Sequence, residues 1–304
     1  MALGHLREQT PMKFQLTSRT RSVTVHPFSV PRWATMLVMG LLLIVAQGCA
    51  DLKPIQDFAA LSADSAEYTT LVNDYIDSPQ RQKRYQPETR HANLDRMVQE
   101  RADQKPTLLL RHAVIEKYMA ALGALAADEV VDNSEDLSKL ATALKTQVGT
   151  NQKETEAFGK MAGILTKVAS DRWRQRQLRD LIEQSNESIQ DILASLQQII
   201  AGGFAGDLES EQAALQNYYK TLTMESNDPA GKAALQEWQE FRLGMIADRR
   251  ESIQQYATLL QSIAAEHQQL YDQRQDLTNP NLLKQVGKKA KDLRKLLSKV
   301  KHAS

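Results

Sequence analysis

Residues 152–200 read QKETEAFGKMAGILTKVASDRWRQRQLRDLIEQSNESIQDILASLQQII, and their spacing decides the fold class. Met161, Ile164, Val168, Asp171, Gln175, Leu178, Ile182, Ser185, Ile189, Ile192, Leu196 and Ile199 alternate three and four apart without a slip. That period places all of them on one face of an α-helix, as in the seam of a coiled coil. Asp171, Gln175 and Ser185 are its polar interruptions. One helix over 152–200 would hold about 49 residues and run roughly 73 Å at 1.5 Å per residue.

Downstream, Gly202-Gly203-Phe204-Ala205-Gly206 predicts a helix stop, as glycine does past a helix end. Asp207 opens a shorter helix, and Asn227-Asp228-Pro229 is a cap followed by proline. From there a second helix of about 49 residues runs to Leu277. Ile246, Ile253, Leu260 and His267 hold one seam position; Tyr256, Ile263, Leu270 and Leu277 hold the other. A helix over 207–226 spans only about 30 Å and cannot retrace the 152–200 helix. Either that helix bends near Asp171–Gln175, or 207–226 and 229–277 form one broken return arm, the favoured arrangement. Thr278-Asn279-Pro280 resets the chain for a last helix to about Lys301.

Upstream, Ile55 to Tyr75 and Leu108 to Leu125 carry amphipathic stripes, and Leu137 to Val148 a shorter one capped by Asp132-Asn133-Ser134. Ser78-Pro79 and the charged run to Tyr85 read as a break, Pro87 as a helix opening, and Pro106 as a kink or short break. Nothing after Cys49 alternates as a strand does. The expected fold is all-α, an elongated helical bundle of six or seven helices, two of them long and coiled-coil-like.

The amino-terminal region sets a different expectation. Arg32 precedes an unbroken apolar run from Met36 to Ala46, then Gln47-Gly48-Cys49. This order is that of a secretory signal, and the run is shorter than the roughly 20 residues needed to cross a bilayer. Ala46-Gln47-Gly48-Cys49 resembles the lipobox of bacterial lipoprotein precursors, although Gln47 departs from the small residue usual there. The resemblance implies cleavage before Cys49, lipidation of its thiol and acylation of the new amino terminus. Several acyl chains, at about 0.8 kcal/mol per buried methylene, anchor a soluble body firmly. Resemblance to lipoproteins with a non-aspartate residue after the cysteine, here Ala50, implies the outer membrane of a Gram-negative envelope; an uncleaved membrane anchor is the competing reading. Residues 1–31 lack periodicity and are expected to be without structure, and Met12-Lys13 offers an alternative translation start.

Cys49 is the only cysteine, so no disulfide is available once it is lipidated. Five of the 38 basic residues and one of the 37 acidic residues precede it, leaving 33 against 36. That near balance gives no argument for nucleic-acid binding.

Motifs for chemistry are sparse. There is no phosphate loop, paired-histidine zinc motif or nucleophile elbow. Glu88-x-x-His91 has half the spacing of a di-metal bundle site and is not repeated. His112 and Glu116 share a helix face, and His267 falls on an apolar seam, where a core imidazole is a more ordinary role than a ligand. No cofactor is expected. Gly159-x-x-x-Gly163 reads as a tight crossing within the bundle. Two basic features suit an anionic partner: Arg172, Trp173, Arg174, Arg176 and Arg179, and the last helix, with Lys284, Lys288, Lys289, Lys291, Arg294, Lys295 and Lys299. Arg249-Arg250 adds a smaller pair; an ion-pair network with Asp171, Asp180, Asp248 and Glu251 is the plainer reading of these arginines.

The expected organisation is therefore a signal over 1–48, a lipidated tether over 49–53, a bundle over 54–279 and a basic amphipathic helix over 280–304. The expected function is a non-enzymatic scaffold or interaction module. It is held on a membrane through Cys49, meets a protein partner through helix faces, and touches anionic lipid or lipopolysaccharide. The alternatives are a lipid-active, pore-forming-like protein and, third, a metalloprotein built from Glu88, His91, His112 and His267.

Overall fold

The computed structural model describes residues 51–66, 69–129, 134–146, 151–170 and 175–302. Cys49 and its apolar run, the Asp132-Asn133 cap, and Asp171, Arg172, Trp173 and Arg174 lie outside the described residues. Contacts divide the chain into two units, 1–49 and 50–304, and every described helix belongs to the second.

Every regular element among the described residues is helical. α1 (Lys53–Ala66), α2 (Thr70–Ile76) and α3 (Ser78–Lys83) lead through a 3-10 turn into α4 (His91–Ala126). Next come α5 (Ser134–Lys145), α6 (Gln152–Ser170) and α7 (Leu178–Gln197). A π-helical segment, Gln198–Phe204, joins α7 to α8 (Ala205–Glu225). α9 (Pro229–Asp272) and α10 (Pro280–His302) complete the chain.

The 152–200 helix is not a single rod. α6 ends at Ser170 and helix resumes at Gln175, with α6 and α7 packed side by side. Lys153 pairs with Asp191 at 2.7 Å and Lys160 with Glu187 at 2.6 Å, so numbers rise on one helix as they fall on the other. The pair is an antiparallel hairpin that reverses where the sequence seam is polar. A rod carrying Asp171 and Gln175 on its seam would bury little there, whereas folding back lets both apolar halves meet α4 and each other. The return-arm arrangement is overturned with it, because the reversal comes before α7.

The glycine-rich stretch is not a stop either. Helix continues from Leu178 to Glu225, 48 residues, with Gln198–Phe204 in the wider π turn. None of Gly202, Gly203 and Gly206 takes the left-handed φ of a helix end. The wider turn moves the buried position from Ile199 to Ile200 and carries it through Phe204 to Leu208 and Leu215. Without that shift, the stripe of α8 would leave the core.

Pro106 sits inside α4 without ending it. Its ring frees the carbonyl of Ala102, but Ala102, Asp103 and Gln104 are exposed, so that carbonyl is on the solvent side of the helix. Ser78-Pro79 likewise starts short α3 rather than a break, with Pro79 in its first turn. A methyl added at Gly159 or Gly163 would meet nothing within 4 Å among the described residues, which removes the tight crossing assigned to them; the close approach is at Gly123, where such a methyl would lie 3.4 Å from the Ala59 Cβ.

Other expectations hold. Asp228 caps α9, accepting from the backbone N–H of Ala230 (3.1 Å) and Gly231 (2.8 Å), and Asn279 caps α10. All eight seam residues of the second long helix are buried, although α9 itself is 44 residues and ends at Asp272. At the centre, Ile115 and Leu122 of α4 share one core with Ile182, Ile189 and Ile192 of α7 and Leu260 and Ile263 of α9. α10 buries Leu282, Val286, Leu293, Leu297 and Val300 against α1 and α9.

Candidate functional site

Of the first arginine cluster, Arg176 and Arg179 are described. Both are exposed at the α6–α7 reversal, where Arg179 shares Asp180 (3.4 Å) and donates to Gln275 (3.5 Å). Arg249 and Arg250 pair with Asp74 and Glu209, not with Asp248 or Glu251. On α10 the apolar stripe faces inward and Lys284, Lys288, Lys289, Lys291, Arg294, Lys295 and Lys299 are all exposed. Among the described residues only Lys295 of these seven has a carboxylate within 4 Å, Asp292 at 3.8 Å. Lys284, Lys288, Lys291 and Arg294 line an open groove with Asp51, Lys53 and Pro54. The basic face thus lies beside the start of α1, and Asp51 is two residues after Cys49 in the sequence.

The histidines stay apart, each held by its own partners. His91 contacts the Gln86 carbonyl at 3.0 Å. His112, from α4, donates Nδ1–H to the Ala66 carbonyl at 2.9 Å and stacks on Tyr256. His267, from α9, sits at the centre of a polar chain through the core. Its Nδ1–H donates to Asn186 Oδ1 (2.9 Å), and its Nε2 accepts from the Tyr118 hydroxyl. Ser185 Oγ donates to Tyr118 (2.7 Å), and Asn186 Nδ2 donates to Gln268 (2.9 Å). Burial pushes both His112 and His267 down to about 4, so both are neutral at physiological pH. Burial also pushes the Tyr118 phenol up, which keeps it a donor. Ser185, Tyr118 and His267 are fully enclosed. The chain therefore positions α4, α7 and α9 against one another and presents no reacting group to solvent.

A second buried pair ties α6 to α4. Arg111 and Glu154 side chains are each 2% exposed and meet through two parallel bonds of 2.6 and 2.8 Å. Asn151 accepts from the Glu154 backbone N–H at 2.9 Å, fixing the first turn of α6.

The feature that sequence reasoning missed is the α8–α9 hairpin. From Gln216 to Met245 no residue is buried. The four large apolar side chains exposed among the described residues, Tyr218 (40%), Met224 (74%), Trp238 (54%) and Phe241 (60%), all lie on it. Trp238 and Phe241 meet edge to face at 6.4 Å, with the Arg242 guanidinium 5.9 Å from each ring. Isolated exposed apolar residues are ordinary, but their confinement to one arm is not. Trp238 lies roughly 44 Å along α9 from His267. A signal was available: the α9 seam starts only at Ile246, while the helix starts at Pro229, so its first four turns had no core to enter.

No known protein family matches the chain, and neither a curated protein nor a solved structure is similar to it.

Proposed function

We propose that this chain is a lipid-anchored, non-enzymatic interaction module of a bacterial envelope. Acyl chains on Cys49 hold it in the outer membrane, and the basic face of α10 rests on anionic lipid or lipopolysaccharide beside the tether. The α8–α9 hairpin meets the protein partner. The observation that carries this reading is the confinement of every large exposed apolar side chain among the described residues to that hairpin. Trp238 and Phe241 touch each other and Arg242 but are not part of the buried core, whereas aromatic residues are the usual anchors of interfaces. Residues 216–245 also carry seven charged side chains, which suits contact at a surface better than insertion into hydrocarbon. No helix among the described residues is long and apolar enough to cross a membrane.

Cross-linking in cells followed by purification from the membrane tests the reading. Discrete adducts are expected for the native chain, and Cys49→Ser and the pair Trp238→Ser with Phe241→Ser should each lose them. Adducts that survive both changes would overturn it.

A further inference from the structure

At the base of the exposed hairpin, where α3, α8 and α9 meet, four arginines face one cleft. Arg81 and Arg84 come from α3 and the residue after it, Arg242 and Arg249 from α9, and Glu211 on α8 is the one carboxylate among the lining residues. The cleft is narrow and opens to solvent, and its lining also includes Leu215 and Ile246. Its lining is thus four positive charges against one negative.

The protein's own acids leave much of that charge unmatched. Arg81 Nε lies 3.3 Å from both Glu211 oxygens, and its Nη1 donates to the Asp74 carbonyl at 2.8 Å. Its Nη2 is buried and has no partner among the described residues. Arg249 reaches Asp74 only at 3.7 Å. Arg84 and Arg242 have no carboxylate within 4 Å among the described residues. Tyr85 lines the same cleft, and burial raises its phenol, which leaves a hydroxyl able to donate. A buried N–H without an acceptor is costly, and guanidinium forks match the oxygens of a tetrahedral oxyanion. A divalent anion answers the excess charge and the missing acceptor together.

We infer that this cleft binds a phosphate-class oxyanion, held by Arg81, Arg84, Arg242 and the Tyr85 hydroxyl, with Arg249 adding to the positive field. Among the described residues the two nearby acids are already engaged, Glu211 with Arg81 and Asp74 with both Arg81 and Arg249. Arg242 also faces Trp238 and Phe241, so the bound anion sits at the edge of the aromatic surface. The site does not depend on how the chain is anchored.

Isothermal titration of the full chain in neutral detergent with inorganic phosphate tests the site, with glycerol 1-phosphate as a second arm. Saturable one-to-one binding with Kd below about 1 mM is expected at physiological salt. Arg84 is exposed and Arg242 half-buried, so Arg84→Gln and Arg242→Gln should keep their circular dichroism. Each should weaken phosphate about tenfold or more, the loss of a charge-assisted bond. Lys220→Gln, on the same hairpin but outside the cleft, should change nothing. Glycerol 1-phosphate binding about tenfold tighter would identify a headgroup-type ester, and equal or weaker binding free phosphate. Absence of saturable binding, or an equal loss with Lys220→Gln, would overturn the inference.

Discussion

Lowering the pH should weaken this fold through two imidazoles. His112 and His267 have their pKa values pushed down from 6.5 to about 4, by burial in both cases. For His112 the Ala66 carbonyl opposes the shift and the Arg111 charge adds to it. An unfolded chain takes up a proton on each histidine below about 6.5, while the folded chain takes up neither until about 4. The stability they represent is therefore complete above 6.5 and is lost as pH falls toward 4. At pH 5 that loss is about 2 kcal/mol per histidine and about 4 kcal/mol for both. Glu211 and Glu266 act in the opposite sense: burial raises their carboxyls, so the folded state gains relative stability as they protonate. A variant isolates the histidine contribution from that background. In His267→Gln, the amide can still donate toward Asn186 and accept from Tyr118, but it does not titrate. Urea unfolding followed by far-UV circular dichroism at pH 7 and pH 5 should show a pH-dependent loss about 2 kcal/mol smaller than in the native chain. Equal losses in the two proteins would refute a buried neutral His267.

Glu154→Gln should cost about 3–5 kcal/mol in the same assay by leaving Arg111 charged in the core, whereas Arg111→Met together with Glu154→Leu should be neutral or stabilising; a loss under about 1 kcal/mol for the single change contradicts the burial. Gly202→Ala and Gly206→Ala, whose new methyls meet nothing within 4 Å, should each raise stability by about 0.5–1 kcal/mol in thermal unfolding. A decrease would restore the helix stop. Lys284→Gln, Lys288→Gln and Lys291→Gln together should weaken sedimentation with anionic vesicles by about 1 kcal/mol per removed charge at low salt. Binding indifferent to salt and to these changes would leave the lysines as a solvated face.

The sequence was most legible where one periodic stripe met one core. The seam from Ile246 to Leu277, on α9 and just past its end, was read residue by residue because each of those side chains enters the same interior. Asp228 was legible because capping is local chemistry. Legibility failed where a local rule met a tertiary alternative. The seam through Asp171 and Gln175 kept helical phase on both sides of a reversal, and period alone does not separate a rod from a hairpin. Gly202, Gly203 and Gly206 were overridden by the burial of Ile200, Phe204 and Leu208. The arginine cleft was invisible for another reason. Arg81, Arg84, Arg242 and Arg249 belong to segments more than a hundred residues apart, and only the packing of α8 against both α3 and α9 gathers them.

A photo-cross-linking scan in living cells tests the central claim most directly. The photoreactive residue is placed singly at Tyr218, Met224, Trp238 and Phe241 on the hairpin, and at exposed Lys139, Gln261 and Ser298 elsewhere. The predicted result is one discrete adduct band shared by the four hairpin positions and absent from the other three. Adducts distributed equally over all seven positions, or none at the hairpin, would contradict a module that meets its partner through α8 and α9.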